Sequence, residues 1–183
     1  AMQHNFISEE RFFKEDLIKG LKDIKLAFKF NPDLGFAEIY LNGLNVETEI
    51  RNMKVSRLVS KVAEVSEVRK KLVEQQQEMG MNKGVVMDGR DIGTVVFPDA
   101  ELKIFMTASA EKRAKRRFDE FVERGEGVTF EETLKNVEYR DLIDTSRKDS
   151  PLVKANDAIE IDNSTLTRKD QFEKVYKLAL EII

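Results

Sequence analysis

Gly84-Val85-Val86-Met87-Asp88-Gly89-Arg90-Asp91-Ile92-Gly93-Thr94 is the stretch on which the reading of this chain turns. A short apolar run stops abruptly at an acidic side chain, a glycine and an Arg-Asp pair. A strand that ends this way delivers opposite charges to the carboxyl edge of a parallel sheet, where α/β proteins bind their ligands. The glycines let the backbone turn tightly and come close to a ligand, and Arg90 offers a planar fork suited to phosphate. Spacing alone leaves a second reading open: a surface loop in which Arg90 and Asp91 neutralise each other.

Two more short apolar runs, Leu102–Met106 and Ala158–Ile161, read as strands. Helical stretches follow them at about 109–124 and 167–182, and another lies at about 129–147. Thr129 and Glu132 have the spacing of a capping box there. Strands alternating with helices predict an α/β domain with a parallel sheet. Upstream, Val55, Leu58, Val59, Val62 and Val65 follow a helical period. Ser66-Glu67 opens a second helix that carries Leu72, Val73 and Gln76 and ends at Gly80. Before these, Ile24, Leu26, Phe28 and Phe30 alternate with polar or small residues. Ala37, Ile39 and Leu41 alternate again beyond the Asn31-Pro32-Asp33 turn, so residues 23–47 read as a small antiparallel insertion. The first segment reads as a helix capped by Ser8, with Phe13, Leu17 and Leu21 on one face and Ile7 and Phe12 as its staple.

Composition narrows the chemistry. The 183 residues include no cysteine and one histidine, His4. A disulfide scaffold, a Cys-ligated zinc site, a thiol nucleophile and a His-based triad are therefore excluded. Lysine and arginine number 31 against 34 acidic residues, a net charge of −3 that argues against a general polyanion binder. No apolar run is long enough to span a bilayer. The expectation is a soluble, cytoplasmic protein working through Arg, Lys, Asp, Glu, Ser and backbone groups.

Two clusters could do that work. On a helix Arg140, Asp144 and Arg147 share one face. Two guanidiniums flanking a carboxylate can hold a phosphate and a sugar hydroxyl together; the other reading is an ion-pair ladder facing water. Between Ser109 and Arg124, Ala110, Ala114, Phe118 and Phe121 form a buried stripe. Arg113, Arg116 and Arg117 are expected to converge on an exposed face where a polyphosphate or a nucleic acid could visit. A solvated face offset by its own acidic residues is the plain alternative. Ser60 and Arg69 are weak signals taken singly. No Gly-x-x-x-x-Gly-Lys-[Ser/Thr] phosphate loop occurs in these residues.

In order along the chain, these pieces resemble the bacterial cytidylate kinases, P-loop nucleoside monophosphate kinases that act on CMP or dCMP. The resemblance runs over essentially all 183 residues. It is strongest from Gly84 to Asp99, from Leu102 to Ser109, from Arg140 to Arg147 and at Pro151-Leu152. It implies a P-loop kinase-type parallel sheet flanked by helices. Residues 1–83 would be the monophosphate-binding region, its β insertion at about 23–47, and 84–183 the rest of the core domain, with a lid at about 113–130. It also implies that Ser60, Arg69 and Asp91 contact the cytosine ring, that Arg90 and Arg147 grip the α-phosphate, and that Arg140 and Asp144 sit near the ribose. Arg90, Arg147 and Arg140 are thus the expected catalytic groups. Arg113, Arg116 and Arg117 would be lid arginines facing the ATP phosphates, and Asp88 would reach Mg²⁺ through water.

ATP with Mg²⁺ is the implied donor, no nucleic acid or membrane partner is implied, and a monomer is expected. The family also has a first, central strand and a Gly-rich loop ending in Gly-Lys-Ser/Thr, and neither is found here. The expectation is that these residues belong to a longer chain and that, taken alone, they transfer no phosphate at useful rates. A module that binds CMP without turning it over, and a kinase of another small monophosphate, are the alternatives.

Overall fold

The computed structural model describes residues 1–182. Helix α1 (Lys14–Gly20) leads into β1 (Leu26–Asn31), β2 (Phe36–Leu41) and the two-residue β3 (Leu44–Asn45), then α2 (Met53–Ala63) and α3 (Ser66–Gly80). After them come β4 (Ile104–Thr107), α4 (Ala110–Glu123), α5 (Phe130–Ser146), β5 (Ile159–Asp162) and α6 (Arg168–Leu180). Two sheets result: antiparallel β1-β2-β3 is the anticipated insertion, and parallel β4-β5 is flanked by helices, as an α/β fold requires.

The insertion follows its sequence pattern. Leu26 pairs with Leu41, Phe28 with Ile39 and Phe30 with Ala37, so all six share one face, while Lys29, Glu38 and Asn31 occupy the other. On that polar face Glu38 accepts from both Asn31 and Asn45. The turn closes with Gly35 at φ 73, a left-handed conformation that glycine adopts without steric cost.

Two readings change. Helix α1 starts at Lys14, not after Ser8. The Ser8 side chain does accept from the Arg11 backbone, but Ile7 and Phe12 pair across a single antiparallel bridge instead of stapling a helix. A local turn has taken the backbone groups that a helix start would need. Residues 84–87 form no strand among the described residues: Lys83 and Gly84 both have positive φ, and Val86 is fully exposed. Without a neighbouring strand, the apolar run has no ladder partner, and propensity alone does not make a strand.

Packing is local. Leu17 of α1 is buried with Val65 and Val68 at the α2–α3 corner, and Phe6, Phe12, Val62 and Leu72 close over them. Ala114 and Phe121 of α4 lie buried in the same helix pair as Thr133 and Val137 of α5. The stripe expected on α4 is therefore the face it turns inward. Capping boxes at Thr129–Glu132 and Thr167–Asp170 fix the starts of α5 and α6. Helices α2, α3 and α5, with the turn after residue 88, surround one cavity.

Candidate functional site

Four segments converge on that cavity of about 240 Å³. Helix α2 contributes Val59, Ser60 and Ala63; α3 contributes Arg69, Leu72, Val73 and Gln76. The loop at 89–92 supplies Gly89, Arg90, Asp91 and Ile92, and the end of α5 supplies Arg140, Asp144 and Arg147. All seven residues expected to bind the acceptor therefore line one pocket, although they span 88 sequence positions from Ser60 to Arg147 inclusive. Apolar side chains from α2 and α3 make walls fit for a flat ring, and the charged groups come from the other two segments and from Arg69 of α3.

The charges are ordered. Arg69 Nη2 donates to Asp91 Oδ2 at 2.6 Å, with both side chains 11% exposed. Asp91 sits at the head of a π-helical turn, Ile92–Val96, in which the amides of Thr94, Val95 and Val96 bond back to its carbonyl. Asp144 divides its carboxylate between two arginines: Oδ2 accepts from Arg90 Nε and Oδ1 from Arg147 Nη1, each at 2.8 Å. Arg147 keeps the face expected for it, beside Asp144 three residues earlier. It is the C-cap of α5, with extended backbone, and its Nε donates to the Ser150 carbonyl. With Asp144 and Arg147 both buried, the water-facing ion-pair ladder is ruled out.

Burial lowers the pKa of the Arg147 guanidinium, and repulsion from Arg69 adds to this against the pull of Asp144. Its Nη2 is buried without a hydrogen-bond partner among the described residues. Arg140 has no carboxylate within salt-bridge distance among the described residues. Burial first, then Arg117 and Arg90, bring its pKa down to about 10. Four guanidiniums and two carboxylates line the pocket, an excess of two positive charges. A phosphate monoester near neutral pH carries about the opposite charge.

The three arginines of α4 do not converge. Arg113 makes a two-pronged contact with Asp141 of α5 and also donates to the Ala108 carbonyl. Arg116 turns to Asn163, just past β5. Arg117 lies over the Phe121 ring with its Nε buried and without a partner among the described residues; burial lowers its pKa, and Arg90, Arg124 and Arg51 add repulsion. Residues three and four apart do start on one side of a helix, but a long side chain bends toward whichever acceptor is near. Asp88 is exposed and lies outside the pocket lining.

Sequence reading passed over Gln76 as a functional residue. Of three consecutive glutamines on α3, Gln75 donates to the Ile24 carbonyl and Gln77 to the Val96 carbonyl. Gln76 faces the pocket, and its amide makes no hydrogen bond among the described residues. The available signal was its place two helical turns after Arg69 on the same face. Asn136 and Ser56, which join α5 to α2, gave no such signal.

Comparison with known proteins adds relatives to this geometry. The family model described as Cytidylate kinase matches residues 8–181. A cytidylate kinase of Flavobacterium johnsoniae is 66% identical over 183 residues, all of this chain and 80% of the relative. One from Flavobacterium psychrophilum is 65% identical over 182 residues, again covering 80% of that protein. A third, from Parabacteroides distasonis, is 53% identical over 171 residues, 93% of this chain and 75% of its own.

Proposed function

The chain belongs to the cytidylate kinase family, and on that premise we propose how its pocket serves transfer of the ATP γ-phosphoryl group to CMP or dCMP, giving CDP or dCDP. One observation carries the reading: Ser60, Arg69, Arg90, Asp91, Arg140, Asp144 and Arg147 line a single cavity with two excess positive charges. The acceptor phosphate is already an oxyanion at neutral pH, so no general base has to be found. Positioning and neutralisation of charge are the catalytic tasks.

Ser60 and the Arg69–Asp91 pair read the cytosine edge. A hydroxyl, a guanidinium and a carboxylate together match its carbonyl, ring nitrogen and amino group. Arg90 and Arg147 take the α-phosphate, and the buried Nη2 of Arg147 is a donor with no other use. In the free protein Asp144 holds both arginines in place; with acceptor bound it also faces the ribose. Arg140 enters from the ribose side, its charge uncommitted to any carboxylate. Arg113, Arg116 and Arg117 belong to the lid at about 113–130, and Arg117, beside Arg90, is the one suited to the donor phosphates.

For Mg²⁺ the chain offers no cluster of three His, Cys, Asp or Glu ligands among the described residues. The ion is ordinarily held by phosphate oxygens, waters and one or two carboxylates, and Asp88 is the carboxylate we assign, acting through water. The ion would supply neutralisation of the β- and γ-phosphate oxygens. No helix of the described residues is long and apolar enough to cross a membrane. We place the protein in the cytoplasm as a monomer, without nucleic-acid partners.

The test is steady-state kinetics on the complete enzyme. Arg90→Ala and Arg147→Ala are each expected to raise the CMP KM and to cut kcat by about 100-fold, the scale of losing a charge-stabilising donor. Asp91→Ala is expected to narrow the preference for CMP over UMP and AMP. Wild-type constants in both arginine variants refute the phosphate assignment, and an unchanged preference in Asp91→Ala refutes the cytosine assignment.

A further inference from the structure

Arg140 stands apart from the other pocket arginines. Arg69, Arg90 and Arg147 each rest against a carboxylate, whereas the one hydrogen bond of Arg140 among the described residues runs from Nη1 to Ser56 Oγ at 3.4 Å. Burial, Arg117 and Arg90 act against its charged form, and the more distant Asp144 and Asp141 offset this only in part. A half-buried cation pushed away by two others would swing toward solvent unless something held it.

What holds it is a small buried network. Ser56, 3% exposed and in the first turn of α2, donates its hydroxyl proton to Asn136 Oδ1 at 2.7 Å. Asn136 in turn donates from Nδ2 to the Ser56 backbone carbonyl at 3.3 Å. That carbonyl can only accept, which fixes which way the Asn136 amide faces. With its proton committed to Asn136, the hydroxyl is left with lone pairs, and these accept from Arg140. Asn136 lies one helical turn before Arg140 on α5, so both share the face turned to α2. Ser56 is on the helix that also presents Val59, Ser60 and Ala63 to the pocket. Its hydroxyl thus ties the aim of Arg140 to the wall of the acceptor site.

We propose that Ser56, oriented by Asn136, is a positioning residue that directs the Arg140 guanidinium at the acceptor nucleotide. This rests on the reading of Arg140 given above. The network binds no substrate itself. Its effect is to keep pre-aimed the cation of the pocket that has no carboxylate partner among the described residues, so that no reorientation is needed when the anion arrives.

The experiment is a double-mutant cycle in the complete enzyme, with kcat and both KM values read separately. Ser56→Ala is expected to lower kcat/KM for CMP by about tenfold, the scale of one hydrogen bond to a charged group, with the ATP KM unchanged. Asn136→Ala, at a less buried position, is expected to do the same and covers the case in which Ser56→Ala fails to fold. Ser56→Thr, which keeps the hydroxyl, is expected to recover most of the loss. The double variant Ser56→Ala/Arg140→Ala should be no worse than Arg140→Ala alone. Losses that multiply in the double variant overturn the proposal, because Ser56 would then act without Arg140. Normal kinetics in both Ser56→Ala and Asn136→Ala, with Arg140→Ala impaired, overturn it alone. Normal kinetics in Arg140→Ala overturn the reading of the site beneath it.

Discussion

Two sets of arginines divide this molecule. Around the pocket, Arg69, Arg90 and Arg147 come from α3, a loop and the C-cap of α5, yet they meet about two buried carboxylates, Asp91 and Asp144. On α4, Arg113, Arg116 and Arg117 are neighbours on one helix, yet each finds a different partner. Distance along the chain separates the first set and tertiary structure joins it; with the second set the reverse holds. The difference lies in what the side chains can reach. A buried carboxylate must be paired, so it gathers cations from wherever the fold brings them. Arg113 and Arg116 have water as an alternative and take whatever acceptor is closest, while Arg117 packs its guanidinium on the Phe121 ring.

The largest expected effect comes from removing a carboxylate around which the first set is built. Asp144→Asn leaves Arg147 buried and pairs neither arginine with a charge. Breaking a buried pair by removing one partner typically costs about 3–5 kcal/mol. Denaturant unfolding of the variant should show a loss of that order, together with loss of CMP-induced stabilisation. A loss below about 1 kcal/mol would place Asp144 with the α4 pairs and abolish the distinction.

Arg140 sharpens the comparison because it belongs to the pocket but lacks the carboxylate. Its guanidinium, held down at about 10 chiefly by burial, binds its proton less tightly in the folded than in the unfolded chain. The cost to stability is therefore fully present at every pH below about 10. It fades as pH rises from there toward the ordinary guanidinium value, because the unfolded chain then holds the extra proton. Arg140→Gln should melt at a higher temperature than the parent near neutral pH, with the gap narrowing above pH 10, and should bind CMP more weakly. A variant that melts lower near neutral pH would show that Arg140 is already compensated in the free protein. Stability given up at a site awaiting an anion is the expected trade.

How far each region was legible follows from the same physics. Helix starts at Thr129 and Thr167 were written locally, in a hydroxyl and an acid three residues apart. So was the antiparallel insertion, because a period of two and an Asn-Pro-Asp turn are short-range signals. The 84–87 run carried strand propensity, but a strand is a property of its neighbours, and none pairs with it among the described residues. At Ser8 the local signal was real and was spent on a turn. The pocket was legible only as a resemblance: nothing in the spacing of Ser60, Arg69, Asp91 and Asp144 says that they meet. Ser56, Asn136 and Gln76 carry no motif, and their roles depend on which helix faces which.

The smallest expected effect tests the second set directly. Arg113 and Asp141 make two short contacts, 2.7 and 2.6 Å, and hydrogen bonding to Asp141 raises the Arg113 pKa further. By geometry alone this is the best-formed ion pair outside the pocket. Both side chains remain more than a third open to solvent, however (38% and 34%). Exposure should decide over geometry, since water competes for both partners and salt screens what remains. A cycle of Arg113→Ala and Asp141→Ala is expected to give a coupling of about 0.2–1 kcal/mol that shrinks further in 1 M salt. A coupling above about 3 kcal/mol would mean that the α4–α5 contact behaves as buried, and would count against the lid we propose at about 113–130.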